Sequence, residues 1–359
     1  MARSYLVLGD GSVYEGEPFG HDVSASGEVV FSTGMGGYQE SLTDPSFRGR
    51  IVVMTYPTVG NYGVNDRFSQ SDAVQARALV VREHCKEPSR MYGGRTLDSL
   101  LRESGVPGIA GIDTRELTVR MRTAGAMRGT IVRDADSIEA ALAELRTERP
   151  AENPVAEVSR KEIAVYGGGG GARVGVLDCG VKRGVIAELL LRHDVAVFPY
   201  DTPADVIAAM GVKGLLISDG PGDVAHPAIA ATVVRTVDAL AAEMPLFGIG
   251  FGSHAVAAAF GGGISGIGFG HRGCNHPVRF EGRIYMTSQN HGAAVDGDSL
   301  AGTGLLVDQT NVDDGTAEGL RHEDLPIFAS QYHPEAAPGP RDASFLFGRF
   351  DRAVAEGRL

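Results

Sequence analysis

The sequence has 359 residues, 43% hydrophobic and 22% charged, which is enough chain for two domains that each bury a core. Its net charge of -12 argues against a nucleic-acid-binding surface, because neutralising phosphates requires clustered Lys and Arg and no such cluster is visible. No apolar run approaches the roughly 20 residues of a membrane span, and the start of the chain lacks the apolar core of a signal peptide, so we expect a cytoplasmic protein.

The cysteines are three, Cys85, Cys179 and Cys274, and they are widely spaced. An odd number at such spacing favours free thiols in a reducing compartment over a disulfide framework or a metal site. We therefore predict no metal centre in this chain.

Residues 1–150 have the pattern of an α+β domain. Short apolar runs separated by turn residues predict strands, and a hairpin is indicated at Gly9-Asp10-Gly11. Asp113 or Thr114 is a good cap for one of the helices that follow. The predicted strands are Ser4–Leu8, Ser12–Glu15, Val29–Phe31 and Ile51–Thr55, and the predicted helices are Arg95–Glu103, Asp113–Ala124 and Ser137–Arg146.

Residues 151–171 are predicted to be a linker between two domains. Pro150 and Pro154 flank its start, and Gly167–Gly171 is an unbroken run of five glycines with no side chain to pack.

Residues 172–359 alternate strands with helices, which predicts a doubly wound α/β domain with parallel strands. After residue 262 the pattern becomes richer in strands, and a helix is predicted at Asp342–Glu356. The predicted elements are strands at Val174–Leu177, Val195–Phe198, Gly214–Ser218, Leu246–Ile249, Ile284–Thr287, Gly304–Val307 and Ile327–Ser330, with helices at Arg183–Arg192, Pro203–Met210, Pro227–Glu243 and Ser253–Phe260.

The segment around Gly250 has the plan of a nucleophile elbow. A buried strand, Leu246–Ile249, is followed by a glycine-rich turn and an Ala-rich helix. In such an elbow the residue at the turn aims its side chain at the substrate, and the next backbone N–H, here that of Phe251, lies near an oxyanion. Glycine supplies no nucleophile, so the predicted backbone of the catalytic site lacks the side-chain atom that would attack the substrate.

Two further loops follow predicted strands at the edge where doubly wound sheets bind ligands. His333, after the last strand, can act as a general base, and Glu335 can orient its ring. The N–H groups of Gly220 and Gly222 can approach an oxyanion closely. Each of these loops taken alone is also compatible with an ordinary turn.

In combination, the Gly-Pro-Gly turn, the elbow and the His-x-Glu motif resemble the class I (triad) glutamine amidotransferases. The resemblance narrows to the small subunit of carbamoyl-phosphate synthetase and extends from about residue 3 to 350. The motifs that carry it are Gly37-Tyr-Gln-Glu-Ser-Leu-Thr-Asp-Pro-Ser46, Thr55-Tyr-Pro-Thr-Val-Gly-Asn61, Ile112-Asp-Thr-Arg-Glu-Leu-Thr118, Asp178-Cys-Gly-Val-Lys-Arg183, Gly270-His-Arg-Gly-Cys-Asn-His-Pro277 and Gln289-Asn-His-Gly292.

In that family the small subunit hydrolyses glutamine, and ammonia passes to a large subunit that makes carbamoyl phosphate from bicarbonate and ATP. The resemblance implies a large-subunit partner, which would bind ATP and Mg²⁺, and no cofactor in this chain. It leaves open whether arginine or pyrimidine synthesis is served. It implies that His333 and Glu335 are the base and its orienter, and that the glutamine pocket is lined by Ser46, Gly220, Gly222, Phe251, His254, Asn290, Gly292 and Ala293.

Three departures from the family pattern fall in this pocket. Gly250 stands where the family has its nucleophilic Cys, Ser253-His254 stands where it has His-Gln, and Ala293 stands where an aromatic residue is usual. We therefore expect a small subunit that has lost glutaminase activity and serves as a structural or regulatory partner of an ammonia-using synthetase.

Two other hypotheses remain open. One is a module that senses glutamine without hydrolysing it. The other is a divergent hydrolase whose nucleophile is Ser253 or Cys179.

Overall fold

The computed structural model describes residues 3–147, 153–168 and 170–359. The chain divides into two compact units, Met1–Pro150 and Ala151–Leu359. Among the described residues, no helix is both long enough and apolar enough to cross a membrane.

The N-terminal unit is built around a closed barrel. Its strands are β1 (Ser4–Leu8), β2 (Val13–Gly20), β3 (Ala25–Ser32), β4 (Arg50–Met54), β5 (Thr58–Val59), β6 (Ala78–Val80), β7 (Glu83–His84), β8 (Pro107–Ala110) and β9 (Met127–Val132), and its helices are α1 (Tyr38–Leu42), α2 (Leu97–Glu103), α3 (Thr114–Ala124) and α4 (Ile138–Leu145). The barrel runs in the order β1-β2-β8-β6-β4-β3-β9, and β5 pairs with β7 outside it.

The predicted helices of this unit form close to their expected bounds because their caps are local. The Asp113 carboxylate accepts a hydrogen bond from the Glu116 N–H at 3.0 Å, so Asp113 rather than Thr114 caps α3. Closure of the barrel, by contrast, depends on β1 pairing with β9, where Tyr5 is opposite Val132. Such a distant pairing is not encoded in local periodicity, and the sequence predicted only a β-rich pattern.

Part of the segment predicted as a linker has regular structure. It contains a short helix, α5 (Val155–Val158), and a strand, β10 (Ala164–Tyr166), that pairs antiparallel with residues 195–197. Residues 148–152 and 169 lie outside the described residues. The edge strand of three residues was not predicted, because the segment is polar and contains proline.

The C-terminal unit is an α/β fold, as predicted. Its further strands are β11 (Arg173–Asp178), β12 (Asp194–Pro199), β13 (Leu215–Ile217), β14 (Leu246–Ile249), β15 (Ile264–Phe280), β16 (Arg283–Val295), β17 (Leu305–Asn311), β18 (Ala317–His322) and β19 (Ile327–Ser330), and its further helices are α6 (Arg183–Leu190), α7 (Ala204–Ala209), α8 (Pro227–Ile229), α9 (Arg235–Leu240), α10 (Phe251–Ala259) and α11 (Phe345–Glu356). The sheet order is β10-β12-β11-β13-β14-β19-β18-β17-β15-β16.

The strands β12, β11, β13, β14 and β19 are parallel and form the middle of this sheet. Helices and loops cover both of its faces, so strand residues such as Leu216, Phe247 and Phe328 are fully buried. The carboxyl ends of β11, β13, β14 and β19 therefore lie side by side at one edge, where ligands of such sheets bind.

Several stretches of this unit differ from the sequence prediction. The strand predicted at Ile284–Thr287 extends over the whole of β16, and β18 was not predicted. The single helix predicted at Pro227–Glu243 is instead α8, a wider π-helical turn at Ala230–Val234 and then α9. The long strand β15 was missed because its first half is rich in glycine, which has low strand propensity.

Candidate functional site

The elbow predicted from the sequence forms at the junction of β14 and α10. Gly250 has φ 55° and ψ -110°, a left-handed conformation that glycine adopts without the penalty of a Cβ. Its N–H donates to the Ser330 carbonyl at 2.8 Å, which ties the turn to the end of β19. A Cβ on Gly252 would lie 2.1 Å from the Ile217 carbonyl oxygen, so glycine there lets the start of α10 press against β13.

The space beside Gly250 is occupied by the side chain of Asp219, which follows β13. The Asp219 Oδ1 accepts a hydrogen bond from the Phe251 N–H at 2.7 Å. A Cβ built on Gly250 would lie 2.1 Å from that same oxygen and 2.5 Å from Asp219 Cγ. The carboxylate therefore fills the volume in which any side chain at position 250 would begin.

His333 lies between two carboxylates. Its Nδ1 is 3.2 Å from Glu335 Oε1, and its Nε2 is 3.6 Å from Asp219 Oδ2. Burial and the Lys182 ammonium lower the pKa of His333, but Glu335 and Asp219 raise that pKa more, so that it lies above the ordinary value of 6.5. The structure thus places His333 next to Glu335, with the charged form of the imidazole favoured; their roles as base and orienter stay a prediction.

Lys182 completes this cluster, and the sequence analysis assigned it no role. Its Nζ is 2.8 Å from Glu335 Oε1, and both side chains are almost fully buried. Burial by itself would raise the pKa of Glu335, but Lys182 and then His333 lower it to about 2. A buried carboxylate such as that of Glu335 needs a cation beside it. The signal that could have identified Lys182 is therefore its place in a loop that follows a strand.

The same ammonium holds the turn that follows Glu335. Lys182 Nζ donates to the carbonyls of Ala336 at 2.8 Å and Ala337 at 3.2 Å. Both alanines have positive φ, 59° and 51°, which costs of order 1–3 kcal/mol for each residue that carries a Cβ. Lys182 therefore both neutralises Glu335 and stabilises the strained backbone that positions it.

The Asp219-Gly-Pro-Gly-Asp223 loop approaches the loop after β11 very closely. A Cβ on Gly220 would lie 2.0 Å from the Cys179 carbonyl oxygen, so only glycine fits there. Gly222 has φ 95°, in the left-handed region. The two predicted glycines are needed for this loop conformation; their role as oxyanion donors stays a prediction.

His254 lies on α10 and is buried. Burial lowers the pKa of His254, opposed by the nearby Gln331 side chain and Ala293 backbone, so the neutral imidazole is favoured. Its Nε2 and both polar side-chain atoms of Gln331 make no hydrogen bond of ordinary geometry among the described residues, although the Gln331 side chain is close enough to act on the pKa of His254. The structure thus brings His254 and Ala293 together and adds Gln331, which the sequence analysis did not select.

The other predicted pocket residues fall in two places. Asn290 and Gly292 lie on β16, where Asn290 is opposite Arg272 of β15 and a Cβ on Gly292 would be 3.0 Å from the Arg272 guanidinium. Ser46 belongs to the N-terminal unit, where its Oγ donates to Asp44 Oδ1 at 2.7 Å. The role of these three residues in a glutamine pocket stays a prediction.

The two residues considered as replacement nucleophiles are both buried. Burial first, and then Asp178 and Asp219, raise the pKa of the Cys179 thiol well above its ordinary value, which disfavours the reactive thiolate. Ser253 is 1% exposed on α10, and among the described residues no hydrogen bond joins its hydroxyl to His333. Within the described part of the chain, neither residue is paired with the base that an activated nucleophile needs.

A separate histidine cluster lies between β15, β16 and β18. His271, His291 and Glu318 each offer one potential metal-ligand atom, all within 4.8 Å of one another. Both ring nitrogens of His271 already face carboxylates, Glu318 at 3.2 Å and Asp314 at 2.8 Å. Burial lowers the pKa of His271, but these carboxylates raise it overall, which favours the charged imidazole between Glu318 and Asp314.

The sequence matches two family models. Residues 6–131 match the carbamoyl-phosphate synthase small chain, CPSase domain, and residues 175–353 match glutamine amidotransferase class-I.

Curated relatives are similar over almost the whole chain. The carbamoyl phosphate synthase small chain of Bacillus caldolyticus is 44% identical over 99% of this chain and 97% of its own length. The pyrimidine-specific small chain of Bacillus subtilis is 43% identical over 96% of this chain and 94% of its own. The small chain of Methanopyrus kandleri is 45% identical over 97% and 98%. With this extent of identity in both halves, the chain belongs to the carbamoyl-phosphate synthase small-chain family.

Proposed function

We propose that this chain is the small subunit of a carbamoyl-phosphate synthase and has no glutaminase activity of its own. It would dock on a large subunit that binds ATP and Mg²⁺ and draws on free ammonia, and would act there as a structural or regulatory subunit. The observation that carries the proposal is Gly250, at the turn where the family resemblance places the nucleophilic Cys.

The chemistry of amide hydrolysis supports this proposal. An oriented thiolate splits hydrolysis into two easier steps, and glycine offers no atom for the acyl intermediate. In the serine-protease triad, loss of one member leaves only about 10³- to 10⁴-fold catalysis over water. His333 could in principle activate a water instead, but its Nε2 faces the Asp219 carboxylate and its charged form is favoured.

The test is carbamoyl-phosphate synthesis by the reconstituted pair of subunits. We expect turnover with an ammonium salt and none above background with glutamine. Robust glutamine-driven synthesis that is abolished by His333→Ala would refute the proposal. The ammonium reaction in the same preparation shows that the complex is assembled.

A second candidate function is a sensor that binds glutamine without hydrolysing it. It is favoured by the buried polar groups of His254 and Gln331, which make no hydrogen bond of ordinary geometry among the described residues and could be satisfied by a polar ligand. Calorimetric titration of the full chain with glutamine decides this point, because a sensor must release or absorb heat at a saturable site.

A further inference from the structure

We propose that the Asp219 carboxylate is an internal plug of the reactive end of the pocket, and that it excludes the carboxamide of glutamine from the elbow. Gly250 and Asp219 would then be a matched pair, so that the loss of activity depends on both. The inference deepens the proposed function and rests on it.

The first argument is steric. A Cβ at position 250 would lie 2.1 Å from Asp219 Oδ1, 2.5 Å from Cγ and 3.0 Å from Cβ. Real Cβ contacts are not this short, so a side chain at 250 and the observed Asp219 conformation exclude each other. Asp219 is also held in place by its neighbour, because Gly220 packs against the Cys179 carbonyl with no room for a Cβ.

The second argument concerns hydrogen bonding. In an elbow, the N–H of the residue after the turn stabilises the developing oxyanion. Here the Phe251 N–H already donates to Asp219 Oδ1 at 2.7 Å. A carboxylate at the N-terminus of the nine-residue helix α10 is also favoured by the helix dipole. A carbonyl oxygen of a substrate would have to displace this charged acceptor.

The third argument concerns the base. Asp219 Oδ2 lies 3.6 Å from His333 Nε2, the nitrogen that is not turned toward Glu335. This is the nitrogen that a general base would use to accept a proton, since the other nitrogen faces its orienter. The same carboxylate therefore faces the nucleophile position, the oxyanion donor and the base.

The inference predicts that restoring a thiol alone does not restore hydrolysis. In Gly250→Cys, the Asp219 carboxylate would have to shift away from the new Cβ, but from the same loop it would still crowd the pocket and raise the pKa of the introduced thiol by like-charge repulsion. In Gly250→Cys/Asp219→Ala both obstacles are removed. A like charge that raises the thiol pKa by about one unit lowers the thiolate fraction about 10-fold at neutral pH.

The experiment compares these two variants of the full chain in glutamine hydrolysis and in peptide-resolved alkylation by iodoacetamide. We expect the introduced thiol to be alkylated about 10-fold faster in the double variant, with glutaminase activity measurable only there. The matched control is Gly250→Cys/Asp223→Ala, which removes a negative charge from the same loop. Asp223 is exposed, and its Oδ1 accepts a hydrogen bond from the Ala225 N–H. This control should behave like Gly250→Cys.

A third measurement does not need the thiol. Calorimetry with glutamine should detect no binding to the unaltered chain and saturable binding to Asp219→Ala. If Asp219→Ala does not fold, as judged by circular dichroism, the shorter and uncharged Asp219→Ser takes its place in both the alkylation and the binding assay.

The outcomes separate the two claims. Equal alkylation rates and equal glutaminase activity in Gly250→Cys and the double variant would refute the role proposed for Asp219 and leave the proposed function intact. Glutamine binding to the unaltered chain as tight as to Asp219→Ala would also refute that role. Glutamine hydrolysis by the unaltered chain would refute the proposed function itself.

Discussion

The buried ion pair between Lys182 and Glu335 gives the most direct test of how this site is held together. We predict that Lys182→Met, which nearly conserves the length of the side chain, destabilises the protein by about 3–5 kcal/mol, because it leaves a buried carboxylate without its closest cation. The two charged atoms are 2.8 Å apart, and the side chains are 2% and 1% exposed.

The pKa of Glu335 provides a second route to the magnitude. It falls from 4.5 to about 2 through Lys182 first and His333 second, which corresponds to about 3 kcal/mol for the two cations together. Because the folded-state pKa is depressed, this stability is present above the unfolded-state value of 4.5 and is lost as the pH falls toward 2. Lys182→Met should raise the folded pKa and flatten the dependence of stability on pH in that window.

The assay is urea unfolding followed by circular dichroism, since the chain contains no tryptophan. The double variant Lys182→Met/Glu335→Gln should recover part of the loss, because a neutral amide is far cheaper to bury than an unpaired carboxylate. The control is Arg192→Met, which removes an ion pair to Asp351 whose arginine is 54% exposed, and should cost less than about 1 kcal/mol. If Lys182→Met unfolds within about 1 kcal/mol of the parent, the reasoning about this buried pair is wrong.

Two further predictions concern the elbow and the base. By NMR titration, His333 should have a pKa above 6.5, because Glu335 and Asp219 outweigh burial and Lys182, and Asp219→Asn should lower that pKa. The raised pKa stabilises the fold at low pH, and this contribution is lost as the pH rises through the folded-state pKa. An unchanged pKa of His333 in Asp219→Asn would contradict the assigned contact. Gly252→Ala should destabilise the protein by about 2 kcal/mol or more in urea unfolding, since its Cβ would lie 2.1 Å from the Ile217 carbonyl oxygen. The control Gly348→Ala in α11 has nothing within 4 Å of its Cβ and should stabilise the protein by about 0.5–1 kcal/mol through helix propensity. Equal effects of the two substitutions would refute the close packing of α10 on β13.

Much of the C-terminal unit followed from local sequence patterns. Buried parallel strands are short apolar runs, so β11, β12, β14 and β19 were found close to their observed bounds. The turn at Gly250 and the His333–Glu335 pair were found for the same reason, since adjacent residues in sequence define them. The closure of the barrel in the N-terminal unit was not predicted, because pairing between distant strands leaves no local periodicity. Of the β15–β16 hairpin only Ile284–Thr287 was predicted, because the first half of β15 is rich in glycine.

Glycine at position 250 follows from the sequence alone, because it is a covalent fact independent of folding. The side chain that lies beside it depends on the fold. Asp219, His333 and Lys182 come from three different loops, and their charges act on one another only where the parallel strands bring those loops to a common edge. Electrostatic interactions depend on distance and burial, which are set by packing and cannot be read from the order of residues along the chain.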